Sequence, residues 1–216
     1  MAVRVKICCI SSLAESKMAI SAGADALGLV GPMPSGPGVI EDGLIAEIAR
    51  NTPPPVATFL LTSETRPADI IAHYRRTLPS VIQLVDHVPP ADFAFLRTEM
   101  PGVKLVQVIH VAGPETLDEA LAAADVADAL LLDSGNPNLD VKVLGGTGKT
   151  HNWMVSRLIV EQSPVPVFLA GGLNPSNAGR ALDEVGPYGL DICSGVRTDG
   201  RLDQEKLNAF FRAVGN

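Results

Sequence analysis

Eight short aliphatic runs recur along this chain, and between them lie stretches whose apolar residues return at helical spacing. The runs cover 3–8, 26–30, 56–61, 81–84, 104–109, 129–132, 167–170 and 190–193. The clearest helical stretches are 13–22, 44–51, 67–76, 115–124 and 174–185. Thr116, Asp118 and Glu119 are read as opening one of these. Asn174 is read as capping another, with Pro175 at its first helical position. Dividing 216 residues among eight strand–helix units leaves about 27 for each, so no inserted domain fits. Continuous apolar runs suit strands buried on both faces, and helical crossovers make neighbouring strands parallel. The candidates are a closed (β/α)₈ TIM barrel or an open doubly wound sheet, and the count of eight predicts the barrel, as one α/β domain spanning 1–216. No G-x-G-x-x-G fingerprint opens the first unit, where Ile10-Ser11-Ser12 follow the strand. The surplus length falls in a single stretch, 135–152, long enough to be an active-site loop.

Charge and cysteine usage narrow the function classes. With 24 Asp+Glu against 17 Lys+Arg the net charge is −7, which argues against non-specific binding to nucleic acid or to an anionic membrane. The amino-terminal residues carry no apolar signal core, and no apolar stretch is long enough to span a bilayer. Cys8, Cys9 and Cys193 make no even disulfide framework, so reduced thiols in a cytoplasmic protein are expected. His73, His87, His110 and His151 lack metal-ligand spacing, and no metal is expected. Oligomeric state is not readable, because no helix face separates from those that cover the barrel.

A barrel of this kind places its chemistry at the carboxyl ends of the strands. In the first strand Lys6 and Cys8 share a face by period two and are predicted to point inward. A thiol there, close to an ammonium, would have its thiolate favoured and could act as base or nucleophile. Equally, free cysteine is among the most buried residue types and Cys8 could be core. Asp133 ends the run Ala129-Leu130-Leu131-Leu132, and there it is either a buried acid or the start of an Asx turn. Gly171-Gly172 and Ser194-Gly195 follow the last two strands, where backbone N–H groups of barrel loops often hold phosphate. The segment Gly145-Gly146-Thr147-Gly148-Lys149-Thr150 is not a P-loop, since Val143 stands where the first glycine belongs.

Taken in order, Val5-Lys6-Ile7-Cys8, Gly23 to Gly28, Ile82-Gln83-Leu84, Leu131 to Ser134, Gly145 to Thr150 with Trp153, Leu169 to Pro175 and Asp191 to Val196 resemble the phosphoribosylanthranilate isomerase family over nearly the whole chain. The resemblance implies an intramolecular oxidoreductase, an aldose–ketose isomerase without metal or organic cofactor, acting on a phosphorylated sugar-amine in tryptophan biosynthesis. It implies Asp133 as general acid and Cys8 as general base. Lys6, Gln83, Gly145, Gly146, Thr147, Gly171, Gly172, Ser194 and Gly195 are implied as substrate- or phosphate-binding. The 135–152 stretch is implied to fold over the site.

Three departures fall away from these groups. No Arg or Lys lies between Val30 and Glu41, where the family carries an arginine for the anthranilate carboxylate. Val85 replaces a histidine after Gln83-Leu84. Cys9 replaces the glycine after the catalytic cysteine, and Arg197 replaces a glutamate. Arg197, Lys142 and Arg66 are candidates for the missing charge. Two alternatives follow: the same chemistry on a different phosphoribosyl amine, or a catalytically degenerate phosphate-binding barrel.

Overall fold

The computed structural model describes residues 3–134 and 152–215. Eight parallel strands close into a barrel in sequence order: β1 (Arg4–Ile7), β2 (Ala26–Val30), β3 (Ala57–Thr62), β4 (Val81–Leu84), β5 (Lys104–His110), β6 (Ala129–Asp133), β7 (Val167–Leu169) and β8 (Gly189–Ile192). The helices around them are α1 (Leu13–Ala22), α2 (Asp42–Asn51), α3 (Pro67–Thr77), α4 (Pro90–Glu99), α5 (Thr116–Ala124), α6 (Trp153–Gln162), α7 (Ala178–Val185) and α8 (Gln204–Ala213). Between β8 and α8, a short 3₁₀ turn at Ser194–Val196 leads into a small antiparallel pair, β9 (Arg197–Thr198) with β10 (Arg201–Leu202). No helix among the described residues is long and apolar enough to cross a membrane.

Strand periodicity divides the apolar residues into two cores. Val5, Ile7, Leu27, Leu29, Leu60, Ile82, Leu84, Leu130, Leu132 and Leu190 face outward under the helices. Cys8, Ala26, Val30, Phe59, Leu61, Val81, Val106, Val108, Ala129, Leu131, Phe168 and Ala170 face inward and fill the barrel. This parity carries Lys6 and Cys8 into the interior.

One of the expected helix starts differs and one is met. α7 begins at Ala178, four residues after Asn174, because the Asn174 side chain accepts from the Ser176 N–H and hydroxyl in a local turn rather than capping a helix. α5 does begin at Thr116, but the Thr116 hydroxyl reaches back to accept from the N–H groups of Ala112 and Gly113.

Candidate active site

The carboxyl ends of the strands surround a cleft of about 690 Å³, open mouth included, lined by Cys8, Cys9, Gln83, Asp133, Gly171, Gly172, Asp191, Cys193 and Ser194, with Met33, Ser35, Gly36 and Pro37 on one wall. Cys8 thus shares one cavity with Asp133, although 125 positions part them in the chain. Asp133 is half-buried on the cleft wall, and one carboxylate oxygen accepts from the Ser134 N–H at 2.7 Å. Burial pushes its carboxyl above the usual range. The negative charge of Asp191 adds to the rise, while the Ser134 bond and His110 oppose it. The Asp133 carboxyl is thus raised by burial while one of its oxygens bonds the N–H of the very next residue, a shorter reach than an Asx turn makes.

Lys6 does not line the cleft. It is fully buried one layer below, where Nζ lies 2.9 Å from Asp191 Oδ1 and 5.4 Å from the centre of the Phe59 ring. The attraction of Asp191 and of the neighbouring thiols outweighs the burial cost and keeps Lys6 charged. Gly28 makes the space: a Cβ there would come within 2.8 Å of Cys8 Sγ and 3.1 Å of Lys6 Nζ. Asp191 was not singled out from the sequence, but a signal existed, because strand register sets Lys6 directly opposite it and a buried lysine demands a counter-charge.

Gln83 is buried at the cleft, and among the described residues its side-chain oxygen has no hydrogen-bond partner, so a ligand donor would satisfy it. Gly171 and Gly172 both take left-handed backbone conformations after β7, φ +84° and +64°. Gly195 does not line the cleft. A Cβ on it would strike the Leu173 carbonyl oxygen at 2.0 Å, so this glycine lets the loops after β7 and β8 touch. Gly145, Gly146, Thr147 and the 135–152 loop as a whole lie outside the described residues, save Asn152, which caps α6 through the Met154 N–H.

Arg197 proves not to be a spare cation for the cleft. Nη1 and Nη2 pair with the Glu15 carboxylate at 3.0 and 3.1 Å, and Nη2 also donates to the carbonyl oxygens of Cys8 and Cys9. Glu15 in turn accepts from the N–H groups of Ser11 and Leu202. Burial disfavours its charge, yet Arg197 and these N–H groups prevail and hold the carboxyl below its usual range. Arg66 is exposed and pairs with Asp69 at 2.6 Å. Lys142 lies outside the described residues. The described cleft lining contains no Lys or Arg.

Comparison with known proteins accords with this geometry. Residues 5–213 match the sequence profile of the family described as N-(5'-phosphoribosyl)anthranilate (PRA) isomerase. A protein of that name from Methanocella arvoryzae is 34% identical over 204 residues, covering 94% of this chain and 93% of the relative. One from Halobacterium salinarum is 35% identical over 211 residues, covering 96% and 93%. Among solved structures, N-(5'-phosphoribosyl)anthranilate isomerase from Pyrococcus furiosus aligns at TM-score 0.82 with 29% identity, covering 98% of each chain. A phosphoribosyl anthranilate isomerase in complex with reduced 1-(o-carboxyphenylamino)-1-deoxyribulose 5-phosphate aligns at 0.79 with 25% identity, again covering 98% of each. With an eight-stranded barrel, a shared cleft for Cys8 and Asp133, and a profile match over nearly its full length, this chain belongs to the phosphoribosylanthranilate isomerase family.

Proposed function

We propose that the protein catalyses the Amadori rearrangement of N-(5'-phosphoribosyl)anthranilate to 1-(o-carboxyphenylamino)-1-deoxyribulose 5-phosphate, with Asp133 as general acid and Cys8 as general base. The observation that carries this reading is the meeting of a carboxyl group raised by burial and a thiol in one cleft flanked by the glycine loops after β7 and β8. Protonated Asp133 delivers its proton to the ribose ring oxygen as the C1'–O bond breaks, giving an open-chain Schiff base. Cys8 as thiolate removes the proton from C2', and the electron pair moves toward the nitrogen to give an enolamine. Loss of the enol proton and protonation at C1' yield the ketone. C1' is reduced and C2' oxidised within one molecule, so the electrons balance without an external redox partner.

Gly171, Gly172 and Ser194, which line the cleft, offer the phosphate backbone donors, and Gly195 holds their two loops together, anchoring the substrate so that both proton transfers are aimed. Gln83 accepts from a sugar hydroxyl, and Lys6 acts from below by orienting Asp191. Gly145, Gly146 and Thr147, which lie outside the described residues, complete the proposed set of substrate-binding groups.

The neutral wall of Met33, Ser35, Gly36 and Pro37, with Arg197 committed to Glu15, favours a second reading: the same rearrangement on a phosphoribosyl amine whose N-substituent is uncharged. An unpaired carboxylate in a desolvated pocket costs on the order of a few kcal/mol. Assaying the purified protein with N-(5'-phosphoribosyl)anthranilate and with its aniline analogue separates the two. Saturable turnover of the anthranilate substrate is expected. Turnover of the aniline analogue alone would establish the second reading, and turnover of neither would overturn both.

A further inference from the structure

The three cysteines of this chain converge on one cleft, and the acid–base chemistry uses only Cys8. The other two meet, with Cys9 Sγ 2.7 Å from Cys193 Sγ. Ile7 and Ile192 are partners in the β1–β8 register, and the Cys8 N–H donates to the Ile192 carbonyl at 2.8 Å, so the pair lies just past the last rung joining these strands. Cys9 is also held in a left-handed conformation, φ 61°, unusual for a residue with a side chain. This backbone turn brings its thiol against Cys193, while Cys8 Sγ faces Gly28. From the other side, a Cβ on Gly38 would come within 2.5 Å of Cys9 Cβ, so the loop after β2 presses the thiol into place.

We propose that Cys9 and Cys193 are a site of reversible oxidation, forming an intramolecular disulfide that ties β1 to β8 across the mouth of the cleft and takes Cys8 out of its working position. Hydrogen peroxide is small enough to enter the open cleft, and Cys193 is the more exposed residue of the two. Its thiolate attacks a peroxide oxygen, the O–O bond breaks, and a sulfenic acid and water result. The Cys9 sulfur then displaces the second oxygen as water, giving the S–S bond. Two electrons and two thiol protons have passed to the peroxide. The order of attack suits the site. The contact with Cys9 and the nearby Arg197 hold the Cys193 thiol below its usual range, while contacts with Cys193 and Cys8, together with burial, hold Cys9 above. A dithiol reverses the reaction by exchange.

The effect on activity rests on the isomerase reading, whereas formation of the bond does not, so the test has two arms. In the first, reduced full-length protein is treated with hydrogen peroxide, alkylated with N-ethylmaleimide and digested with trypsin. The Ile7–Lys17 peptide is expected to join the Ala181–Arg197 peptide through Cys9 and Cys193, with the alkyl group on Cys8. Linkage through Cys8 to either partner, or alkylation of all three thiols, would overturn the proposal. Cys9→Gly accepts the positive φ without strain and is expected to give no cross-link. In the second arm, turnover by the cross-linked protein should fall about 10²-fold, as expected when a catalytic group is displaced by an ångström, and return with dithiothreitol. Full turnover by the cross-linked protein would overturn the regulatory role. Absence of turnover by the reduced protein would count against the isomerase reading while leaving the peptide map decisive for the disulfide.

Discussion

The two ends of the barrel treat their ionisable groups in opposite ways. At the amino ends of the strands every charge noted is paired near solvent. Asp25 accepts from the Val5 N–H at 2.9 Å and pairs with Arg4, while Asp128 accepts from the Leu105 N–H at 2.9 Å and pairs with Lys104 and Arg97. The two sites are equivalent by construction. In each, an aspartate directly before an even-numbered strand, in Ala24-Asp25-Ala26 and Ala127-Asp128-Ala129, closes the N–H of the second residue of the strand before it. At the carboxyl ends a carboxyl group is pushed up by burial, a glutamine oxygen is left without a partner among the described residues, and three thiols face a shared cavity. One end has its polar groups satisfied and serves stability. The other holds groups whose partners arrive with the substrate, which is the signature of a site.

Substitutions at the two ends should therefore separate activity from stability. Cys8→Ala should show the largest effect, a loss of about 10³-fold or more in kcat with the melting temperature little changed, since it removes a general base from a buried position that tolerates a methyl group. Near-normal kcat would break the contrast. Arg197→Met should cost both quantities: about 3 kcal/mol or more in denaturant unfolding, because Glu15 is left buried without its counter-charge, and about tenfold in kcat, because the Cys8 carbonyl loses its clamp. This pair also fixes a pH dependence. The Glu15 carboxyl is held below its usual value of 4.5, so its contribution is fully present above that pH and is lost as the pH falls through the depressed value. Acid unfolding curves of the wild type should show this loss, and those of Arg197→Met should show less of it.

Asp128→Asn, at the opposite end, should cost about 1 kcal/mol of stability through its weakened pairing with Lys104 and Arg97, with kcat/KM unchanged. Lys104→Ala should cost only a few tenths of a kcal/mol, the worth of an exposed ion pair. A kinetic defect in either would show that the two ends are coupled and would weaken the comparison.

Much of this contrast is legible in the sequence. Eight apolar runs locate eight strands to within one or two residues, because strands buried on both faces must be continuously apolar and turn residues bound them sharply. Period-two parity places Lys6 and Cys8 inward without knowledge of tertiary contacts. What escapes is whatever depends on neighbours distant in sequence. Arg197 reads as a free cation until Glu15, 182 positions away, is seen beside it. Cys9 and Cys193 read as unpaired because their meeting depends on a backbone turn at Cys9 that residue type disfavours. Lys6 reads as a cleft residue because parity gives its face, while its depth comes from the packing of Phe59 and Asp191 around it.

Asp133 joins both halves of the account in one side chain. A carboxyl group raised by burial contributes stability below its unfolded pKa and loses that contribution as the pH rises through the folded value, so a charge on Asp133 burdens the fold whenever the group ionises. Asn keeps an acceptor for the Ser134 N–H and carries no charge. Thermal unfolding and turnover of Asp133→Asn, measured together at neutral pH, test the claim most directly. The account predicts a variant at least as stable as the wild type with kcat lowered about 10³-fold or more. A variant that is less stable and still active would contradict it.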